Sequence, residues 1–134
     1  MLAEESAQFG YPDIRFGAVP AMVMGTLCRA VGEKRAAELT MTGRIISAAE
    51  AAQLGLISRC ISTPSFPQEV ARTLELLVSA PPLATGLTKR LLYQVNELGF
   101  AEGIAVSAAI SAESRTSDDF RRGVRRMLER SRTL

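Results

Sequence analysis

The sequence predicts a mostly α chain with a minor α/β component: mainly helices, with one or two short strands. Three observations carry this. Apolar residues recur at helical spacing in most of the segments between Gly and Pro punctuation. Only Leu56-Ile57-Ser58-Arg59-Cys60-Ile61 has the bounded, β-branched character of a strand. The apolar content is high, 47% of 134 residues, but only 5% of residues are aromatic and Trp is absent, which suits helices packed closely through Ala, Leu, Ile, Val and Met. This length is enough to bury a core of its own.

Taken in order, Ala3 to Gln8 is polar and reads as the exit from a preceding element. The loop from Phe9 to Val19 leads into a helix opened by Pro20, a good first-turn residue because the donor it lacks would be unpaired there. Met22, Val23, Leu27, Ala30 and Val31 follow at helical spacing, and Gly32 stops the run. Glu33 to Met41 forms a second, Ala-rich helix ending before Gly43. Ser47-Ala48-Ala49-Glu50 has the form of a capping box, each end satisfying a free donor of a short helix that Gly55 closes. After the strand, Pro64 and Pro67 mark a break between a mixed front part, 1–63, and a helical back part, 64–134.

In the back part, Gln68 to Ser79 places Val70, Leu74, Leu77 and Val78 on one face. Beyond Pro81-Pro82, Leu87, Leu91, Val95 and Leu98 form a stripe, and Gly99 separates it from an Ala- and Ser-rich helix over Ala101 to Ser114. Ser117 is a good N-cap for the last helix, with Asp118 and Asp119 where the dipole favours acids. There Phe120, Val124, Met127 and Leu128 share a face, and arginines fill the others.

The formal net charge of +2 conceals an asymmetry: residues 1–114 sum to −2 and residues 115–134 to +4. A basic helix of this kind can meet nucleic acid, an anionic membrane or a phosphorylated small molecule. Only Phe120 is interleaved with the arginines, so base stacking is poorly served and no nucleic-acid partner is expected. Histidine is absent, which removes Ser-His and Cys-His nucleophiles and most zinc sites. Cys28 and Cys60 lie in apolar surroundings and read as reduced core thiols. Neither a secretory leader nor an apolar run of about 18 residues is present, so no membrane span and a cytoplasmic location are expected.

One carboxylate stands out. Asp13 lies in a short apolar loop among Gly10, Pro12, Gly17 and Pro20. Apolar neighbours desolvate a carboxylate and favour its protonated form, which suits proton transfer. The alternative is an ordinary turn aspartate bonding nearby backbone N–H groups.

The series Phe9-Gly10-x-Pro12-Asp13-Ile14, Gly17, Pro20, Arg29-Ala30-Val31-Gly32, Thr42-Gly43-Arg44, Ser47-Ala48-x-Glu50-Ala51 and Gly55-Leu56-Ile57 resembles the second half of the crotonase family, the enoyl-CoA hydratases and isomerases. Each element alone is weak, but their order and spacing over about fifty residues are specific. The likeness continues more loosely through Ala80-Pro81-Pro82, Lys89, Thr116-Ser117-Asp118-Asp119, Gly123 and Glu129-Arg130. It implies the C-terminal part of a crotonase-like ββα spiral fold. Residues 1–63 would complete the core and carry the active-site loop; residues 64–134 would serve oligomerisation and cover coenzyme A.

The resemblance implies acyl-CoA chemistry, the reversible hydration of 2-enoyl-CoA thioesters or their isomerisation. No separate cofactor is needed, because coenzyme A is part of the substrate. Asp13 matches the glutamate of the family's Pro-Glu pair and would be the acid–base residue. Ala21 replaces a glycine whose N–H helps hold water or substrate, and Met24 would line the acyl pocket or the core. Arg130, where the family has lysine, would grip a phosphate of coenzyme A through its planar fork. Ser111 stands where an aromatic residue often packs on adenine. The oxyanion-hole donors belong to the family's earlier half, so catalysis calls for that half, and the expected assembly is a homo-oligomer, trimer or hexamer, or a pairing with a separate N-terminal half. The competing expectation is a non-catalytic remnant that serves oligomer assembly or partner binding.

Overall fold

The computed structural model describes residues 1–131, with side chains as far as Glu129, and divides into a unit spanning Met1–Thr73 and a second beginning at Leu74. The first unit contains four strands of three residues each. Strand β1 (Leu2–Glu4) pairs in parallel with β4 (Arg59–Ile61), and β2 (Gln8–Gly10) pairs antiparallel with β3 (Ile45–Ser47). The sequence led us to expect one or two strands. Three were missed because a three-residue strand is too short to display a period, and β1 and β2 only overlap the two ends of the stretch read as a polar exit, Ala3 to Gln8. The expected strand over Leu56–Ile61 is confined to its last three residues; Leu56 and Ile57 instead direct their N–H groups to the Ala51 carbonyl at 2.9 and 3.3 Å, closing the preceding helix.

Helices α1 (Ala21–Val31), α2 (Glu33–Thr42) and α3 (Ala48–Leu54) fill the interval between the strands. Their ends are set by glycines, of which Gly43 and Gly55 adopt the left-handed conformation that caps a helix cheaply. The core has two parts. Ala3, Leu39, Ile46, Ala48, Ala51 and Ile57 form one, and Leu27, Val31 and Ala36 the other, with Tyr11, Leu54 and Leu56 packed against both. Alanines at the contact points let α3 approach the strands closely; Ala48 and Ala51 are fully buried. Thr40 is buried too, and its hydroxyl donates to the Ala36 carbonyl at 2.8 Å, so no donor is left unpaired.

The α2–β3–α3 region is tied by one guanidinium. Arg44 Nε donates to Glu38 Oε1 at 2.5 Å, and its Nη2 to Glu38 Oε2 at 3.1 Å and to Glu50 Oε1 at 2.6 Å. This corrects the expected capping box. Ser47 Oγ does accept from the Glu50 N–H at 3.2 Å, but the Glu50 carboxylate turns to Arg44 rather than back to the cap. A charge-assisted bond is the stronger choice. The hydrogen bond from Arg44 holds the Glu38 carboxyl below its ordinary range, while the two carboxylates keep Arg44 charged at any accessible pH.

The second unit is helical. Helix α4 (Phe66–Ser79) starts in the first unit, where Arg59 binds Glu69 at 2.9 Å and Thr73 at 3.1 Å. Its expected apolar face is half-buried at Val70 but exposed at Leu74, Leu77 and Val78. Helices α5 (Pro82–Val95) and α6 (Phe100–Arg115) pack through Leu87, Ile110 and the buried Gly103, joined at their rim by Arg90 and Glu113 at 2.8 Å. Helix α7 (Asp118–Ser131) is capped as the sequence predicts, Ser117 Oγ accepting from the Phe120 N–H at 3.1 Å. Among the described residues no helix is long and apolar enough to cross a membrane, and no group of three or more His, Cys, Asp or Glu could hold a metal ion.

Two outcomes follow from this packing. Leu39→Ala, at a side chain 1% exposed, should cost about 2–5 kcal/mol in urea denaturation. The Glu38 contribution should depend on pH in a defined sense. Its carboxyl lies below the ordinary 4.5 in the folded state, so the stabilisation is complete above about pH 4.5 and is lost as the pH falls through the lowered value. The stability difference between the native protein and Glu38→Gln, measured by urea melts, should therefore be constant near neutrality and shrink on acidification.

Candidate active site

Asp13 sits on a one-turn 3-10 helix, Pro12–Phe16, between β2 and α1. Pro12 supplies a fixed φ at its start, and Gly17 ends it at φ 77. The turn is closed by the backbone: Gly17 N–H donates to Ile14 O at 3.1 Å and Ala18 N–H to Asp13 O at 3.0 Å. The carboxylate takes no part in this, so the ordinary turn-aspartate bond is not formed.

Five carboxylates among the described residues are half-buried: Glu4, Asp13, Glu50, Glu69 and Asp119. Glu4 accepts from Thr63, Glu50 from Arg44, Glu69 from Arg59 and Asp119 from Arg122. Asp13 alone has no hydrogen-bond or ion-pair partner for its side chain among the described residues. A carboxylate that spends nothing on structure is available to a ligand. Its surroundings are less enclosed than the sequence suggested: Ile14 is 41% exposed, Phe16 83%, Val19 73% and Met22 95%. The apolar neighbours are present but face outward.

Ala21 opens α1. The preceding Pro20, at φ −76 and ψ 53, is the centre of an inverse γ-turn in which Ala21 N–H donates to Val19 O at 2.8 Å. That N–H is thus already engaged, and it could hold water or substrate only by sharing its proton or by opening the γ-turn. Met24 is half-buried and belongs to neither core cluster. Asp13, Ala21 and Met24 accordingly lie on one continuous stretch of the first unit. Arg130 belongs to α7, and its side chain lies outside the described residues.

In the second unit, Arg121 and Arg122 pair with Asp118 and Asp119 one turn earlier, while Arg125 and Arg126 are exposed. The same unit has a cavity of about 300 Å3 lined mainly by Pro81, Ala84, Ser114, Phe120, Val124 and Met127. Its walls suit hydrocarbon rather than phosphate. Ser111 is exposed, as is Lys89; Cys28 and Cys60 are free thiols, half-buried rather than fully enclosed. In the Thr42-Gly43-Arg44 turn the sequence suggests that Arg44 pairs with a backbone carbonyl or an acid, and Arg44 meets two acids, Glu38 and Glu50.

The family model described as enoyl-CoA hydratase/isomerase matches residues 1–133. A Thermus thermophilus protein named "Putative enoyl-CoA hydratase" is 37% identical over 131 residues, covering 97% of this chain and 51% of that protein. The chain spans about half the length of the curated relatives it matches. Among solved structures, an enoyl-CoA hydratase of Mycobacterium smegmatis superposes with a TM-score of 0.93 at 27% identity, over 96% of this chain and 50% of the other. A Geobacillus kaustophilus enoyl-CoA hydratase subunit gives 0.89 at 32% identity, over 96% and 51%. With its few short strands, its mainly helical build and a family match running from residue 1 to residue 133, this chain belongs to the enoyl-CoA hydratase/isomerase family.

Proposed function

We propose that this chain is the proton-transferring, C-terminal half of an enoyl-CoA hydratase or isomerase, with Asp13 as its acid–base residue. One observation carries the reading: in a chain of this family, the half-buried carboxylate on the 3-10 turn ahead of α1 is, of the half-buried carboxylates among the described residues, the one left without a structural partner.

In hydration, the oxygen of water bonds to C3 of the 2-enoyl thioester and a proton is added at C2. Negative charge gathers on the thioester oxygen in between. Asp13 exchanges the proton, as acid in one direction and base in the other. The donors that stabilise the oxygen, worth about 3–4 kcal/mol each, come from the other half of the fold. Aspartate is one methylene shorter than the glutamate for which it stands, and a misplacement of about 1 Å can cost about 100-fold in rate. The 3-10 turn compensates for none of this by enclosure, so the wall of the site is also supplied by the other half. Met24 is assigned to the acyl chain, Ala21 N–H to the polar end once its γ-turn opens, and Arg130 to a phosphate of coenzyme A. The free thiols fit a reducing compartment, which supports a cytoplasmic location.

The test is turnover in an assembly of this chain with the preceding half of the fold, followed by the loss of 2-enoyl-CoA absorbance. Asp13→Asn should lower kcat by about 100-fold or more while KM changes little, because the amide keeps the shape but cannot take the proton. Undiminished turnover by Asp13→Asn would remove Asp13 from the mechanism, and no turnover by a well-folded native assembly would favour a non-catalytic role.

A further inference from the structure

The stretch carrying Asp13 lies on one short segment, Gly43-Arg44-Ile45, and touches it at two points where a glycine makes the approach possible. At the first, Gly10 pairs with Ile45 across β2 and β3. A Cβ on Gly10 would overlap Ile45 Cδ1 and stand 3.0 Å from Arg44 O and 3.3 Å from Ile45 Cα. At the second, Gly43 is buried, and a Cβ there would stand 2.9 Å from Ile14 Cγ2 and 3.4 Å from Arg15 Cγ and Nε. Ile14 follows Asp13 directly in the chain and is too exposed to be held by the core.

This crowding is particular to these two positions in the first unit. A Cβ on Gly17, Gly25 or Gly32 would meet nothing within 4 Å, and one on Gly55 would make an ordinary contact at 3.8 Å. Gly43 therefore does more than end α2. Asparagine can also adopt its left-handed conformation, but asparagine could not make the approach to Ile14. The segment is itself immobilised, because Arg44 is held by Glu38 on one side and Glu50 on the other.

We propose that Gly43, seconded by Gly10, is a positioning residue that sets where the Asp13 carboxylate stands, by letting the Asp13 turn rest directly on the Gly43–Ile45 backbone. The catalytic consequence rests on the reading of Asp13 as acid–base residue; the placement itself does not.

The chain has three aspartates, Asp13, Asp118 and Asp119, so 13C labelling of their carboxyls gives a spectrum of three resonances in which Asp13 can be followed directly. Gly43→Asn should move the Asp13 resonance and leave the other two in place. Adding Ile14→Ala should bring it to the position seen with Ile14→Ala alone, since the obstructing methyl is gone. Gly55→Asn is the control: it meets the same left-handed requirement at φ 83 without a close contact, and should leave Asp13 unmoved. In the catalytic assembly, Gly43→Asn should lower kcat by about 10- to 100-fold with KM nearly constant. Gly10→Ala, whose nearest obstacle is the end of the flexible Ile45 side chain, supplies the same test should Gly43→Asn fail to fold. A folded Gly43→Asn or Gly10→Ala variant with the Asp13 resonance at its native position would overturn the proposal whatever the turnover. A moved resonance in an assembly that is inactive even before substitution would uphold the positioning and count against the acid–base reading.

Discussion

The first unit depends on the sharing of one guanidinium between two helices. Arg44 closes a bidentate pair with Glu38 in α2 and a further bond with Glu50 in α3, so the end of one helix and the start of the next cannot drift apart without breaking charge-assisted hydrogen bonds. Between those helices lies a five-residue path that turns at Gly43 and becomes β3. Fixing the path fixes the pairing of β3 with β2, and through β2 the entry to the Asp13 turn. Apolar burial around Leu39 and Ile46 supplies cohesion; the ion triad supplies register.

The other half-buried carboxylates of this unit, and several of its cations, are consumed by structure. Arg35 donates to the Leu54 carbonyl at 3.0 Å, placing a cation at the end of α3 where the dipole is negative. Glu4 and Glu5 both serve Thr63, and Arg59 joins β4 to α4. Buried side-chain polar atoms among the described residues all have partners. Against that background an unengaged, half-buried acid is an exception, and such exceptions concentrate where a fold performs chemistry.

Much of this was legible in the sequence, and the remainder failed for identifiable reasons. Helix limits at Gly32, Gly43 and Gly55 could be read because glycine at a helix end has a conformational cause. The Ser117 cap and the acids behind it were equally readable. The short strands were not, since three residues carry no usable alternation and their pairing is with distant chain. The partner of Glu50 was hidden for a different reason: the capping box is a local pattern, whereas Arg44 competes for the same carboxylate from across β3. Asp13 could be singled out as a candidate from its loop, but neither its lack of partners nor the outward facing of Phe16 and Met22 could be foreseen, because both depend on how the chain is folded rather than on neighbouring letters.

The parallel pairing of β1 with β4 has a consequence for how the chain is made. Leu2 is matched with Arg59, so β1 cannot pair with β4 until 57 further residues have been synthesised. Helices α1 to α3 form from local contacts in the meantime, and closure of the ladder comes late, at the entropic cost of a long loop. During that interval the edge of β1 that β4 will cover is open to pairing with other strands.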